Sequence, residues 1–188
     1  MSKRRKSIGP TIGTDLRNQL NGKQLYENYK VAINQYNKSL ENEEYIVSFL
    51  LAVSLMEERI TACYVMLKWY DNILNKEERI KEVADELGIP LDNINLRKFD
   101  EKYKPLSSEI ERTGIGEKLS FIQNKKYINR DKKDEVASAT LKRNNLVHMS
   151  FHNIDNYSTE VCNRFFEYYR YFDKISNQIK KDIGFPKN

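Results

Sequence analysis

The stretch IVSFLLAVSLMEERITACYVMLKWYDNIL, residues 46–74, is the most hydrophobic part of a 188-residue chain. Its apolar side chains recur at helical spacing: Ile46, Phe49, Leu50, Val53, Met56, Ile60, Cys63, Tyr64, Leu67 and Tyr70 form one broad stripe. So wide a face needs neighbours on more than one side. The triplet Glu57-Glu58-Arg59 interrupts the stretch at its centre, and a membrane span does not tolerate such charges cheaply. The pattern therefore predicts a long helix over residues 43–74 inside a folded protein, with no membrane involved.

Working outward, the same periodicity predicts three more long helices. Residues 22–40 carry Leu25, Tyr29, Ile33, Tyr36 and Leu40 on one side. A later helix is expected over 133–150. The last, over 158–183, presents Val161, Phe165, Tyr168, Phe172, Ile175 and Ile179, with Ser158 as its N-cap and Glu160 in its first turn. Residues 77–87 form an amphipathic helix stopped by Gly88, and 116–124 read as another short helix. Strand patterns are scarce, and seven glycines with four prolines leave little material for hairpins. The expected fold is all-α: a four-helix bundle core with a partly helical insertion at 75–130, making one domain over residues 15–188.

Mean hydropathy is low, at −0.74, but 39% of residues are hydrophobic and 11% aromatic, which indicates a folded chain with a charged surface. Much of the net charge of +5 comes from Lys3-Arg4-Arg5-Lys6, within a basic arm at residues 1–14 that lacks an apolar period and is expected to be flexible. No apolar run follows that arm, so no secretory signal is expected. Cys63 and Cys162 lie in helical apolar patterns, without metal-type spacing or a disulfide framework. They read as small core residues in a reducing, cytoplasmic compartment. A second basic cluster, Lys125, Lys126, Arg130, Lys132 and Lys133, precedes the third long helix; it either guides a polyanion such as RNA or forms a solvated loop.

Chemistry concentrates in KRNNLVHMSFH, residues 142–152, which holds both histidines of the chain. Read as a helix, its apolar side runs Val136, Ala139, Thr140, Leu146, Val147 and Ser150, with Arg143 in the middle of the stripe. A guanidinium in such a position requires an ion pair or a phosphate, because an unpaired buried charge costs several kcal/mol.

Arg143 followed by four residues and His148, with the polar Asn144 beside the arginine and the motif on the penultimate long helix, resembles the HEPN superfamily of all-helical proteins. The resemblance is sharp over residues 142–148; elsewhere it rests on helix order and the long apolar second helix. It implies metal-independent RNA cleavage without a cofactor, in a site where two copies of the motif meet across a homodimer. It also allows a toxin or antiviral effector held by a regulatory antitoxin or sensor protein.

These residue types suit that reaction. Cleavage of RNA by its own 2'-hydroxyl needs one proton removed, one delivered to the leaving 5'-oxygen, and the extra negative charge on phosphorus stabilised. Histidine titrates near ~6.5 and can perform either proton step. The permanently charged fork of Arg143 matches phosphate oxygens, and Asn144 can hold the imidazole or an oxygen without adding charge. At about 100° per residue, Asn144 and His148 lie about 40° apart around a helix, and Arg143 and His148 about 140° apart. A two-fold axis would gather two sets around a shared cleft.

Glu57 lies in the long second helix, where members of the family often carry an acidic residue, and can pair with Arg143 and orient it; equally, Glu57-Glu58-Arg59 reads as the charged edge of an amphipathic helix. His152, four residues after His148, has zinc-type spacing but no third ligand nearby, so no metal site is expected. Two other functions fit parts of the chain. One is a non-catalytic HEPN-like module that binds a nucleotide, an RNA or a protein. The other is a DNA-binding regulator using a helix-turn-helix over residues 82–94, around Gly88, although a capped helix and loop explain the same residues.

Overall fold

The structure, a computed structural model, describes residues 22–87, 103–148 and 157–183; the side chains of 22–25, 77, 79, 80, 82–84, 86, 87 and 144–148 are outside that description. The described residues contain helices and no strand. In order they are α1 (Gly22–Glu41), α2 (Tyr45–Leu87), α3 (Ser107–Arg112), α4 (Ile115–Asn124), α5 (Arg130–His148) and α6 (Thr159–Asp182). None is long and apolar enough to cross a membrane.

Helix α2 organises the others. It packs along α6 and α1, and α4 sits against both α2 and α5. From residue 55 to 74 every position of α2 is buried or partly buried, so neighbours cover most of its circumference. Phe49, Ala52, Met56, Ile60 and Cys63 are completely covered, opposite Phe172 and Ile179 of α6 and Tyr36 of α1. Rings interlock across these seams: Tyr36 stacks on Phe166 at 4.1 Å between centroids, and Phe49 meets Phe165 edge-on at 5.2 Å. The two cysteines serve as small core donors. Cys63 Sγ donates to the Phe172 carbonyl and Cys162 Sγ to that of Tyr45, so each thiol closes a helix contact.

Helix α2 is one element where the sequence suggested two, at 43–74 and 77–87. The apolar stripe ends at Leu74, but residues 75–87 contain no glycine or proline, and the backbone continues to Leu87, making a helix about 65 Å long. Helix α3 was not expected at all. Helix α5 starts three residues earlier than its apolar pattern because Asn129 caps it: Asn129 Oδ1 accepts from the Lys132 N–H at 2.8 Å. Ser158 caps α6 as expected, accepting from Val161 N–H at 3.3 Å. Leu50 departs from the stripe and is 46% exposed.

Two helices end in left-handed residues that are not glycine. After α1, Glu43 has φ 59°, with Glu44 N–H bonded to Ser39 O and Glu43 N–H to Leu40 O. After α4, Lys126 has φ 63°, with Tyr127 N–H bonded to Ile122 O and Lys126 N–H to Gln123 O. Both are Schellman turns, whose C′ position usually holds glycine because a Cβ is crowded there. Few glycines in the chain therefore did not mean few tight helix ends. Glu43→Gly should raise stability by up to about 1 kcal/mol, strain relief being partly offset by the entropy of the unfolded chain; urea denaturation checks the sign.

Burial also pushes the hydroxyls of Tyr36, Tyr127 and Tyr168 up to about 12. Folded values raised above the unfolded ~10 mean that their contribution is complete below pH 10 and is lost as pH rises towards 12. Stability measured by urea should fall across that window, and Tyr36→Phe should flatten the fall.

Candidate active site

The residues of the arginine–histidine motif lie on the second half of α5. The helix is continuous through His148, so the register that places Asn144 and His148 about 40° apart holds for its backbone. The side chains of Asn144 and His148 are outside the described set, as is the whole of His152. Arg143 is described. On its stripe Val136 is fully covered, while Ala139, Thr140 and Arg143 are half-buried.

The Arg143 guanidinium forms an ion pair, through Nη2, with Glu57 Oε1 of α2. The two side chains are only 23% and 28% exposed. Burial draws the Arg143 pKa below its ordinary value, and the carboxylate supplies the opposite charge that keeps a desolvated guanidinium in place. Of the two sequence readings of Glu57, the structure shows the pairing one.

The rest of the triplet explains why charges stand in the middle of the most apolar helix. Glu58 Oε1 accepts from the Tyr29 hydroxyl of α1 at 2.9 Å. Arg59 Nε lies 3.0 Å from Asp173 Oδ1 of α6, and its guanidinium stacks 3.9 Å from the Tyr29 ring centroid. Successive helical residues turn by about 100°, so three adjacent charges reach α5, α1 and α6 in turn.

Lys118 was not singled out by the sequence reading. It lies on α4 within the stripe Ile115, Leu119, Ile122 and is 6% exposed; its Nζ donates to Thr61 Oγ1 of α2 at 3.2 Å. Thr61 is one turn from Glu57 on the same side of α2. The signal was available, since a cation on an apolar stripe is what drew attention to Arg143. It was masked because α4 is short and its stripe weak.

The basic cluster proves largely engaged with acidic neighbours. Lys125 pairs with Asp71 at 2.6 Å, Arg130 and Lys133 both reach Asp134, at 3.6 and 3.0 Å, and Lys132 pairs with Glu135 at 2.5 Å. Lys132 also faces the rings of Tyr168 and Tyr171, and Glu135 accepts from the Tyr168 hydroxyl at 2.9 Å. The hydrogen bond from Lys132 leads the causes that hold the Glu135 carboxyl below its usual range. Lys126 is exposed at its turn. This segment thus joins α4 and α5 to α2 and α6. The aromatic residues of α6 are likewise mostly core, Tyr168, Tyr169 and Phe172 being buried.

Comparison with protein-family models, curated proteins and solved structures gave no match. The site is therefore read from its own geometry. Among the described residues no group of three His, Cys, Asp or Glu side chains is placed to hold a metal. What the described residues provide is a guanidinium oriented by a carboxylate, on the helix that carries Asn144 and His148. The helix-turn-helix candidate falls mostly outside the described residues: α2 runs helically to Leu87, and 88–102 are not described.

A double-mutant cycle tests the pair. Glu57→Gln should cost about 1–3 kcal/mol, because it leaves a three-quarters-buried guanidinium without its carboxylate. Combined with Arg143→Met, it should show a coupling of about 1–2 kcal/mol in urea denaturation. A coupling near zero would contradict a structural role for the pair.

Proposed function

We propose that the protein is a metal-independent endoribonuclease of HEPN type, with a composite site formed by Arg143, Asn144 and His148 of two copies. The observation that carries the reading is the Arg143–Glu57 ion pair. It holds a phosphate-matching guanidinium on the same helix as the one described histidine position. The helical architecture around the long α2 supports the same family reading, as does the continuity of α5 to His148.

In this mechanism His148 moves the proton of the 2'-hydroxyl or of the leaving 5'-oxygen, since an imidazole exchanges protons at neutral pH. Arg143 bears the charge that grows on the phosphoryl oxygens. Asn144 orients the imidazole or an oxygen. A single motif offers one histidine for two proton steps, and a second copy supplies the other. Cleavage without metal ions and control by a regulatory partner protein, as in a toxin or defence effector, accord with this chemistry.

The test uses the full chain with mixed RNAs in EDTA, beside folded His148→Ala and Arg143→Ala variants of unchanged oligomeric state. Cleavage should be present in the wild type and fall at least about 100-fold in each variant, the scale of one acid–base or oxyanion contribution. RNA retained but uncut by the wild type would assign the chain to the non-catalytic binding class. A strictly monomeric protein that still cleaves would exclude the composite site.

A further inference from the structure

The two halves of α5 are held very differently. At its start Asn129 caps the helix, Lys132 lies over the rings of Tyr168 and Tyr171, Glu135 accepts from the Tyr168 hydroxyl at 2.9 Å, and Val136 is completely covered. Beyond Val136 that changes. Of the described side chains from 137 to 143 none is buried: Ser138, Leu141 and Lys142 are exposed, Leu141 at 67%, while Ala137, Ala139, Thr140 and Arg143 are half-buried. Thr140 spends its hydroxyl on the Val136 carbonyl of its own helix.

Helix α6 gives the contrast. From Cys162 to Ile179 it buries a side chain in every turn. The free energy of opening a segment follows the apolar contacts it makes, so α6 opens only with the whole molecule, whereas a segment with few such contacts opens alone. Intrinsic helicity does not make up the difference, because a helix of ~12 residues is marginal in water and the adjacent Asn144 and Asn145 are weak helix formers. Ala137 and Ala139 offer the core only a methyl each, and Arg143 crosses to α2 in its ion pair with Glu57. Separating a partly buried pair leaves two charges to be solvated anew, so the pair favours the docked position.

From this asymmetry we infer that α5 beyond Val136 is a locally opening arm, which leaves the bundle while the other helices stay folded, with the α4–α5 junction as its fixed end and the Arg143–Glu57 pair as its latch. Opening parts Arg143 from Glu57 and dissolves the register that Asn144 and His148 share. Under the ribonuclease reading, docking of α5 then becomes the step that assembles the motif, and a partner that favours one position regulates cleavage. Only that consequence rests on the reading, since the opening is measured without RNA.

Native-state amide hydrogen exchange on the full-length protein tests it, each rate taken relative to the unstructured chain. In wild type the amides of 140–148 should exchange at least about 100-fold faster than those of 56–67 in α2 and 165–172 in α6. Glu57→Gln should speed the α5 amides by a further ~10–100-fold, the effect of stranding a partly buried charge. Phe166→Leu removes the ring stacked on Tyr36 between α1 and α6. It should speed exchange in α2 and α6 and leave 140–148 unchanged, because that contact persists when α5 alone opens. If Glu57→Gln does not fold, Arg143→Lys takes its place with the same direction expected, since it keeps the charge and gives up the fork. The inference is overturned if 140–148 exchange as slowly as α2 and α6, or if Phe166→Leu accelerates all three alike. It is equally overturned if weakening the pair leaves 140–148 unchanged, which would mean fraying with the pair intact. A wild type that cleaves no RNA removes the ribonuclease reading and leaves these exchange rates where they are.

Discussion

Three consecutive charges at the centre of α2 govern how the rest of the molecule is assembled. Over residues 55–74 every position of this helix is buried or only partly exposed, so Glu57, Glu58 and Arg59 cannot be fully hydrated. Each must find a partner on a neighbouring helix, and the helical turn of about 100° per residue sends them in three directions. Arg143 of α5, Tyr29 of α1 and Asp173 of α6 answer them. Such contacts add little net stability compared with apolar packing, but removal of one member leaves the other stranded in a poorly hydrated place. They therefore act on arrangement: a helix in the wrong register would bury a charge without its partner.

The proposed chemistry follows from the same constraint. Arg143 is held at the seam between α2 and α5 because Glu57 is there, and α5 then carries Asn144 and His148 as part of the same helix. Lys118 reaches the next turn of α2 from α4, whose Leu119 and Ile122 anchor it in the core. In the basic segment before α5, Lys125, Arg130, Lys132 and Lys133 lie beside Asp71, Asp134 and Glu135.

Much of the fold was legible along the chain. The stripes of α1, α2 and α6 are long and strongly periodic, and their buried faces include Tyr36, Phe49, Met56, Ile60, Phe165 and Phe172 as the spacing requires. Short-range signals were less reliable. The break between 74 and 77 was inferred from the end of an apolar stripe, yet hydrogen bonding in a helix continues wherever no residue opposes it. The helix ends expected at 40 and 124 fall within a residue of those observed, but the left-handed caps at Glu43 and Lys126 carried no signal because neither is glycine. Within the site, Arg143 stood out on its stripe, whereas Lys118 sat on a helix too short for its pattern to be persuasive.

The sequence by itself determined that the chain is helical, that α2 needs neighbours on several sides, and that Arg143 must have a partner. These depend on local periodicity and on the cost of burying charge, which operate along a single helix. Only the tertiary structure decided who the partners are. Glu57 and Arg143 are 86 positions apart, and Thr61 and Lys118 are 57 apart. Which charges meet across such separations depends on how whole helices pack, and that is settled jointly by every apolar face rather than by any one stretch of residues.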